Sequence, residues 1–534
     1  MHNRKIPVVI GVAWVVSLWV AETGFASGVR SSVPDRPVSV VTAKGPIQGL
    51  VTAEGIHAYK GIPYAKAPTG DLRFAPPQDV APWTALLDCT EYGPLAVQQL
   101  TITVPVDNPE QSEDCLTLNV WTPSGPQAQD KLPVYVFIHG GGFAAGSGND
   151  IRYDGTPFAR NGVVLVTINY RLGILGFFAS QETYNQYGTT GNWGILDQIK
   201  ALEWVRDNIA YFGGDPDKVT IGGESAGSMS VSALIASPLA KGLFRSAIMQ
   251  SGSLLGIRSV TSARGSMEKA IELSKILANI FGASDDEAGL TQLRQADPDM
   301  LNYLGPFLLD QTAGLQAFFY SPLFDGTVLP RDPLEALREG NSNRVNLLVG
   351  FNHDEGSLFI PLTADNGTYK TVAVRALGKA WRTWVDHFPV DEQHGAAQRT
   401  RQVLAYTWFN TSTKVFADLL ARAGNKVFMY NYNYAIPGNP LGAYHSSELA
   451  YVFKTDAVTG DEGTQLAEEM HVRWINFIKN GDPNVGIRPP TDTPWPQYHT
   501  EKPEVLLFDK GVSAGPLPDK ENNDFAEQLL YGAD

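Results

Sequence analysis

Short apolar runs rich in β-branched residues alternate along the chain with longer stretches in which apolar residues recur at helical spacing. Runs of the first kind predict buried strands, here over 134–138, 163–168, 219–221, 246–250, 346–349 and 426–432. Stretches of the second kind predict helices, of which the clearest covers 191–212 and the last covers 465–479. The alternation predicts an α/β fold with a mostly parallel central sheet and helices on both faces.

The N-terminal segment has a different pattern. Arg4 and Lys5 precede an apolar run over 6–21, and small residues follow at Gly24 and Ala26. This order is typical of a secretory signal peptide, with cleavage expected after Ala26. The run is too short and too interrupted for a comfortable membrane span, so we expect a secreted or periplasmic protein rather than an anchored one.

The remainder of the chain is expected to form one structural unit. Residues 27–37 are rich in Ser, Pro and Arg and are expected to form a short leader with little to bury. Residues 38–534 are expected to form a single domain, because no internal repeat or Pro/Gly-rich linker divides them. The pattern predicts long insertions in this domain, the largest over about 256–344 and 357–425.

Composition and charge narrow the class of partner. Apolar residues make up 43% of the 534 residues and charged residues 18%, which is typical of a globular protein. The formal net charge of −15 argues against nucleic acid or an anionic membrane as an obligatory partner, because either requires a basic face. The two cysteines, Cys89 and Cys115, are expected to form a disulfide in an exported chain.

The sharpest chemical signal is Gly223-Glu224-Ser225-Ala226-Gly227, which follows the predicted 219–221 strand and precedes a helical run that starts near Met229. A serine at a tight turn between a strand and a helix is typical of a nucleophile elbow. The glycines are needed because larger side chains would collide with the neighbouring strand and helix. Ser225 is therefore the candidate nucleophile.

A second signal is His139-Gly140-Gly141-Gly142-Phe143, directly after the predicted 134–138 strand. Three glycines allow backbone N–H groups to converge on one point, where they can stabilise the negative oxygen of a tetrahedral intermediate. We predict an oxyanion hole formed by the N–H groups of Gly141, Gly142 and Ala226. His139 is expected to orient this loop rather than act as a base.

The base and acid of such a site follow the serine along the chain, in the order Ser, acid, His. His445 lies in a loop shortly after the predicted 426–432 strand and can reach the active edge of the sheet, whereas His387, His394, His471 and His499 lie in helical stretches or in the tail. Asp354 and Glu355 both follow the predicted 346–349 strand. Position alone leaves the choice between these two carboxylates open.

These residues resemble the type-B carboxylesterases, the family that also includes the cholinesterases. Phe212-Gly213-Gly214, with the segment through Gly227, is similar to the serine-site signature of that family, and the segment from Glu113 to Trp121 is similar to its cysteine-containing signature. The blocks from Lys60 to Ala65 and from Asn169 to Gly173 also match, so the resemblance extends from about 38 to 508.

The resemblance implies an α/β-hydrolase fold, a triad of Ser225, His445 and Glu355 rather than Asp354, and a bridge between Cys89 and Cys115. It also implies that Glu448, three residues after the histidine, supports the site. Cholinesterases place a tryptophan in the bridged loop to bind a quaternary ammonium. No Trp lies between Cys89 and Cys115, so choline esters are not expected substrates.

The expected activity is hydrolysis of an uncharged small-molecule carboxylic ester through an acyl-enzyme. No metal or organic cofactor is expected, because Cys and His are few and badly spaced for zinc. One alternative is an amidase or carbamate hydrolase with the same triad. Another is a non-catalytic adhesion protein on this scaffold, against which the intact Ser225 argues.

Overall fold

The computed structural model describes residues 35–98, 105–123, 131–256, 267–302, 321–455 and 457–532. The predicted signal peptide and all but the last residues of the predicted leader lie outside the described residues. In the described part of the chain, the strands form one sheet. They are β1 Arg36–Val41, β2 Pro46–Val51, β3 His57–Pro63, β4 Leu87–Asp88, β5 Thr117–Thr122, β6 Leu132–Ile138, β7 Val164–Ile168, β8 Gly214–Glu224, β9 Ser246–Gln250, β10 Asn346–Asn352, β11 Val427–Tyr432, β12 Glu504–Phe508 and β13 Val512–Pro516.

The sheet order is β1-β2-β3-β5-β7-β6-β8-β9-β10-β11-β12-β13, with β4 paired to β2. The central strands from β7 to β12 pair in parallel, which confirms the predicted mostly parallel sheet. The two margins are antiparallel: β1, β2, β3, β5 and β7 on one side, and β13 on the other. The strands β1 to β5, β12 and β13 were not predicted from the sequence, because several of them are short or half-exposed and lack a continuous apolar run.

Helices cover both faces of the sheet. The α-helices are Thr156–Arg160, Gly173–Phe177, Gln181–Tyr187, Trp193–Asn208, Ala226–Ala236, Met267–Ile280, Glu287–Gln295, Pro333–Arg338, Asn366–Leu377, Trp381–His387, Ala396–Leu404, Thr411–Arg422, Leu449–Val452, Gly460–Asn480 and Lys520–Tyr531. Single 3₁₀ turns lie at Gly70–Leu72, Ile151–Tyr153, Ile209–Phe212, Pro238–Ala240, Glu355–Leu358 and Gly378–Ala380, and a π-helical turn at Ala405–Asn410.

Several predicted boundaries differ in the structure. The first strand begins at Arg36, two residues before the expected start of the domain, and the helix after Ser225 begins at Ala226 rather than near Met229. The helix predicted over 465–479 is Gly460–Asn480, and it is not the last, since Lys520–Tyr531 follows. Its polar first turn, with Asp461 and Glu462, has no apolar periodicity but suits the positive end of the helix dipole.

The core lies in two layers, one on each face of the sheet. Along β6, Val134, Val136 and Ile138 join the larger apolar cluster, whereas Tyr135 and Phe137 join the other. Successive side chains of a strand point to opposite faces, so strands buried on both sides read as continuous apolar runs. The carboxyl ends of these parallel strands meet at one edge, where loops are free to carry polar groups.

No described helix has both the length and the apolar character needed to cross a membrane. Cys89 and Cys115 are buried and both are free thiols in this structure, so the expected bridge is not formed in it. Burial raises the pKa of the Cys89 thiol to about 12 and also raises that of Cys115. Thiols held protonated in this way are weak nucleophiles for disulfide exchange.

Candidate active site

Ser225 stands at the turn between β8 and the helix Ala226–Ala236, where the sequence predicted a nucleophile. Its backbone has φ +58° and ψ −123°, a strained conformation for a residue with a side chain. The Ser225 N–H donates to the Gln250 carbonyl at 2.9 Å, and the Ser225 carbonyl accepts from Met229 N–H at 2.9 Å. These two bonds hold the turn in place and leave the side chain at the carboxyl edge of the sheet.

The glycines on either side of Ser225 are required by close backbone approach. A Cβ atom on Gly227 would lie 2.0 Å from the Ile138 carbonyl oxygen, and one on Gly223 would lie 2.6 Å from the Gly227 carbonyl oxygen. Both distances are far inside van der Waals contact. The motif therefore reflects the packing of β8 and its helix against the end of β6.

The glycine loop after β6 lies beside Ser225. A Cβ atom on Gly140 would be 3.0 Å from the Ser225 Cβ, and Gly141 and Gly142 have φ +106° and +64°. Among the described residues, none accepts a hydrogen bond from the N–H groups of Gly141, Gly142 or Ala226. The amide of Ala226 also lies at the N-terminus of a helix, where the dipole favours negative charge. The three predicted donors are therefore free to bind an anionic oxygen.

His139 is a structural part of this loop. Its ring stacks on Tyr170 with centroids 4.5 Å apart, its Nδ1 lies 2.8 Å from the Gly140 carbonyl, and the Tyr170 hydroxyl donates to the His139 carbonyl at 3.0 Å. Burial lowers the pKa of His139 to about 4. A neutral, fixed imidazole of this kind orients the glycines.

The structure brings His445 and Glu355 together. His445 Nδ1 lies 2.5 Å from Glu355 Oε2, and both side chains are buried. The other carboxylate oxygen of Glu355 accepts from the Asn352 N–H at 2.8 Å. A carboxylate on Nδ1 fixes the tautomer and leaves Nε2 to exchange protons, which is the arrangement of a catalytic base.

Asp354, the neighbouring carboxylate, points away from this pair. Its Oδ2 accepts from the Ala443 N–H at 3.0 Å, its Oδ1 lies 3.2 Å from His353 Nδ1, and its side chain is 40% exposed. The geometry thus separates the two candidates that sequence position left open. Asp354 fixes the loop that carries His445, and Glu355 contacts the imidazole itself.

The Nε2 of His445 faces a carboxylate as well. It lies 3.1 Å from Glu224 Oε1, which also accepts from the Ser446 hydroxyl at 2.6 Å. No described residue forms a hydrogen bond with the Ser225 hydroxyl, and this includes His445. The histidine therefore lies next to Glu224, the residue that immediately precedes Ser225.

Three buried glutamates surround the imidazole and set its charge. Burial lowers the pKa of His445, but the carboxylates of Glu224 and Glu355, with a smaller contribution from Glu448, outweigh it and raise this pKa to about 9. Burial in turn raises the pKa of Glu224 and raises that of Glu448 to about 8. The group is a compact set of ionisable residues at the edge of the sheet.

Glu448 is fully buried and receives two amide donors. Gln250 Nε2 donates to its Oε1 at 2.9 Å and Asn352 Nδ2 to its Oε2 at 2.6 Å. Glu448 was predicted from the sequence as a support, but both amides were missed, because Gln250 only ends a predicted strand and Asn352 lies in the segment after another. Phe359 and Phe409 were also missed, although their rings lie 5.1 and 4.4 Å from that of His445.

The remaining histidines have other partners. His471 Nδ1 lies 2.8 Å from the Val452 carbonyl, and burial lowers its pKa. His387 stacks on Phe525 at 3.6 Å, and His394 contacts Asp391. Within the described ranges, no group of His, Cys, Asp and Glu residues is arranged to hold a metal ion.

Comparison with known proteins places this geometry in context. The model of the carboxylesterase family matches residues 36–526. A para-nitrobenzyl esterase of Bacillus subtilis (strain 168) is 35% identical over 503 residues, which cover 90% of this chain and 97% of that protein. Carboxylesterase 1D of Rattus norvegicus is 35% identical over 538 residues, covering 91% and 92%. A solved PNB esterase structure superposes with a TM-score of 0.80 at 34% identity, covering 92% of this chain and 99% of that one.

Proposed function

Because the chain belongs to the carboxylesterase family and is a carboxylic ester hydrolase, we propose that it cleaves an uncharged small-molecule ester through a covalent intermediate on Ser225. The observation that carries this assignment is the contact of 2.5 Å between His445 Nδ1 and Glu355 Oε2, beside the strained turn of Ser225. A buried base with a fixed tautomer near a serine at the turn between a strand and a helix suits acyl transfer.

In the first step, the Ser225 Oγ attacks the ester carbonyl carbon and its proton passes to His445 Nε2. The carbonyl oxygen becomes an oxyanion, which the N–H groups of Gly141, Gly142 and Ala226 stabilise. The intermediate then collapses: the bond from carbon to the alkoxy oxygen breaks, and the imidazolium gives its proton to the leaving alcohol.

In the second step, water replaces the alcohol. His445 Nε2 takes a proton from the water as its oxygen attacks the acyl carbon, and the bond from that carbon to Ser225 Oγ then breaks. The serine oxygen takes the proton back, and the carboxylic acid leaves. Glu355 stabilises the imidazolium formed in each half-reaction and stays ionised throughout.

The resting contact between His445 Nε2 and Glu224 is part of this proposal. For proton transfer, Nε2 must leave Glu224 Oε1, at 3.1 Å, and approach the serine hydroxyl. Catalytic hydrogen bonds are often long or absent without substrate and tighten in the complex. Substrate binding is proposed to complete the contact between His445 and Ser225.

Labelling with a fluorophosphonate tests the site directly. The wild-type chain is expected to be modified at Ser225, as located by peptide mass spectrometry, and Ser225→Ala to stay unmodified. The Bacillus subtilis relative is named a para-nitrobenzyl esterase, so a para-nitrobenzyl ester is the first substrate to assay. A matched anilide is the control for amide hydrolysis. Faster turnover of the anilide than of the ester, or labelling at another residue, would overturn the proposal.

We further propose that the chain is exported, with cleavage after Ala26, and that oxidation then joins Cys89 to Cys115. Support comes from the charged, apolar and small-residue order of the N-terminal segment, and from the burial of both thiols in one apolar cluster. Mass spectrometry of the mature protein, with and without reduction, measures both the N-terminus and the bridge. An intact Met1 with two alkylatable thiols contradicts this part of the proposal.

A further inference from the structure

Asn352, the last residue of β10, is fully buried and contacts three parts of the candidate site. Its backbone N–H donates to Glu355 Oε1 at 2.8 Å. Its side-chain Nδ2 donates to Glu448 Oε2 at 2.6 Å and to the Tyr444 carbonyl, which precedes His445, at 2.8 Å. One residue therefore joins the loop of the acid to the loop of the base.

The chemistry of these partners fixes the orientation of the Asn352 amide. A carboxylate oxygen and a backbone carbonyl are both acceptors, so the NH₂ group must face them and the opposite orientation would place oxygen against oxygen. Gln250 is fixed in the same way. Trp474 Nε1 can only donate, and it donates to Gln250 Oε1 at 3.2 Å, which directs Gln250 Nε2 to Glu448.

Both oxygens of Glu448 therefore accept from amides that cannot turn away. Donors of this kind stabilise the ionised carboxylate. Burial and the charges of Glu224 and Glu355 act in the opposite direction and raise the pKa of Glu448 to about 8, while the amides of Asn352 and Gln250 limit the rise. The charge on Glu448 in turn favours the protonated form of His445.

We propose that Asn352 is a positioning residue of the esterase site, which ties the Glu355 and His445 loops together and, by donating to the Glu448 carboxylate, favours its ionised form beside the imidazole. This inference rests on the proposed function of Ser225, His445 and Glu355. Asn352 contacts no reacting atom and acts through Glu448 and through the backbone of the His445 loop. Its side chain is thereby assigned an electrostatic effect that a purely structural residue would lack.

Several other groups also act on His445 and Glu448, and all of these groups are present in every variant compared below. The charged or titratable side chains that act on His445 or Glu448 from neighbouring elements are Glu224, Glu355, Tyr430, Tyr432 and Tyr444, and Arg152 acts on Glu224 and Tyr444. Because none of them is altered, a change in the pH dependence reports on the Asn352 side chain.

The test is the pH profile of kcat/KM for Asn352→Leu, which removes the side-chain amide and keeps the backbone N–H on Glu355. Without the donor, Glu448 stays protonated to higher pH, so the ascending limb assigned to His445 is expected to move down by about 1 pH unit. The value of kcat is expected to fall about tenfold, because the two loops lose their shared contact.

The matched control is Asn431→Leu. Asn431 is a buried asparagine of β11 that pairs with Phe351, the neighbour of Asn352, and its Nδ2 donates to the Phe351 carbonyl at 3.1 Å. The Asn431→Leu substitution removes an equivalent buried amide that contacts no glutamate. The ascending limb of its kcat/KM profile is therefore expected to match that of the wild type. If both variants lose stability alike but neither moves the limb, the role of Asn352 is structural and the inference is overturned.

A double-mutant cycle tests whether the Asn352 side chain acts on His445 through Glu448. Glu448→Gln is also expected to shift the ascending limb of kcat/KM to lower pH. In a protein that already carries Glu448→Gln, Asn352→Leu is expected to add no further shift. Equal, additive shifts would contradict action through Glu448. Should Asn352→Leu not fold, Gln250→Leu removes the other donor to Glu448 and is expected to shift the limb in the same direction; an unshifted limb there contradicts the inference.

Fluorophosphonate labelling distinguishes a failure of the role inferred for Asn352 from a failure of the proposed function. Labelling of Ser225 in the wild type, together with an unshifted limb in Asn352→Leu, rejects the role of Asn352 and leaves the proposed function standing. A wild type that hydrolyses no ester and takes no label at Ser225 rejects the proposed function and the inference together.

Discussion

His445 Nε2 and Glu224 Oε1 lie 3.1 Å apart, so the imidazole has a buried carboxylate on each ring nitrogen, with Glu355 on the other side. Glu224 immediately precedes the nucleophile, and the turn at Ser225 directs it to the same edge of the sheet. In a low-dielectric site, two such carboxylates act strongly on the proton affinity of the ring. Glu355, the proposed acid, is thus one of two carboxylates that raise the pKa of His445, the proposed base.

Glu224→Gln is expected to shift the ascending limb of kcat/KM to lower pH. The substitution removes one of the two carboxylates that favour the protonated imidazole, and the amide retains the size of the side chain. The pH profile on a neutral ester measures the shift, with exposed Glu501→Gln as the control. A limb that stays in place in Glu224→Gln would show that Glu224 does not face the titrating base in solution.

The wild-type enzyme is expected to show its ascending limb at higher pH than an ordinary histidine, which titrates near ~6.5. The sign follows from the raised pKa of His445, about 9: below it the ring is protonated and cannot accept the serine proton, and above it the neutral base is available. The measurement is kcat/KM from about pH 5 to 10, on a substrate that does not ionise, with folding followed by circular dichroism. Full activity already at pH 5 would refute a His445 base in this environment.

Removal of the nucleophile or the base is expected to abolish most turnover. Ser225→Ala and His445→Ala are each expected to lower kcat by at least ~10⁴-fold while the fold is retained, as in other serine hydrolase triads. His471→Leu is the matched control, since His471 is also buried but bonds to the Val452 carbonyl away from the site. Near-normal turnover of His445→Ala would exclude this histidine as the base.

The two adjacent carboxylates can be compared directly. Glu355→Gln is expected to lower kcat far more than Asp354→Asn, because only Glu355 contacts His445 Nδ1 and stabilises the imidazolium. Asp354 accepts from the Ala443 N–H, so its loss is expected to affect stability more than the chemical step. Steady-state kinetics and thermal unfolding of both variants make the comparison. Small, equal losses of kcat would place the acid elsewhere.

The sequence was informative where local backbone geometry dictates residue type. The glycines around Ser225 and in the 139–143 loop predict two tight backbone turns, which the structure places side by side, since steric limits act on neighbours in the chain. The strands β6 to β11 were predictable for a related reason: burial on both faces demands continuous apolar runs.

Contacts between distant segments left no local signal. Glu224 was known only as the variable position of a motif, and its approach to His445 depends on how two loops more than two hundred residues apart fold together. Gln250 ends a predicted strand and Asn352 lies in the segment predicted to follow another, so neither position indicated that both side chains donate to Glu448. Phe409 lies in a π-helical turn that periodicity does not distinguish from an ordinary helix.

Close backbone packing at the turn after Ser225 leaves no room for a side chain on Gly227. Gly227→Ala would place a Cβ atom 2.0 Å from the Ile138 carbonyl oxygen, a backbone atom that cannot rotate away. The helix Ala226–Ala236 would have to separate from β6, which costs packing and moves the Ala226 amide out of the oxyanion site. We expect a loss of at least ~2 kcal/mol in the free energy of unfolding and a fall in kcat of more than ~10²-fold.

Gly511→Ala, at an exposed glycine with open space around it, is the control and is expected to stay within ~0.5 kcal/mol of the wild type. Urea titration and ester turnover of the same preparations measure both quantities. If Gly227→Ala kept wild-type stability and kcat, the close contact between the turn and β6 would not exist in solution.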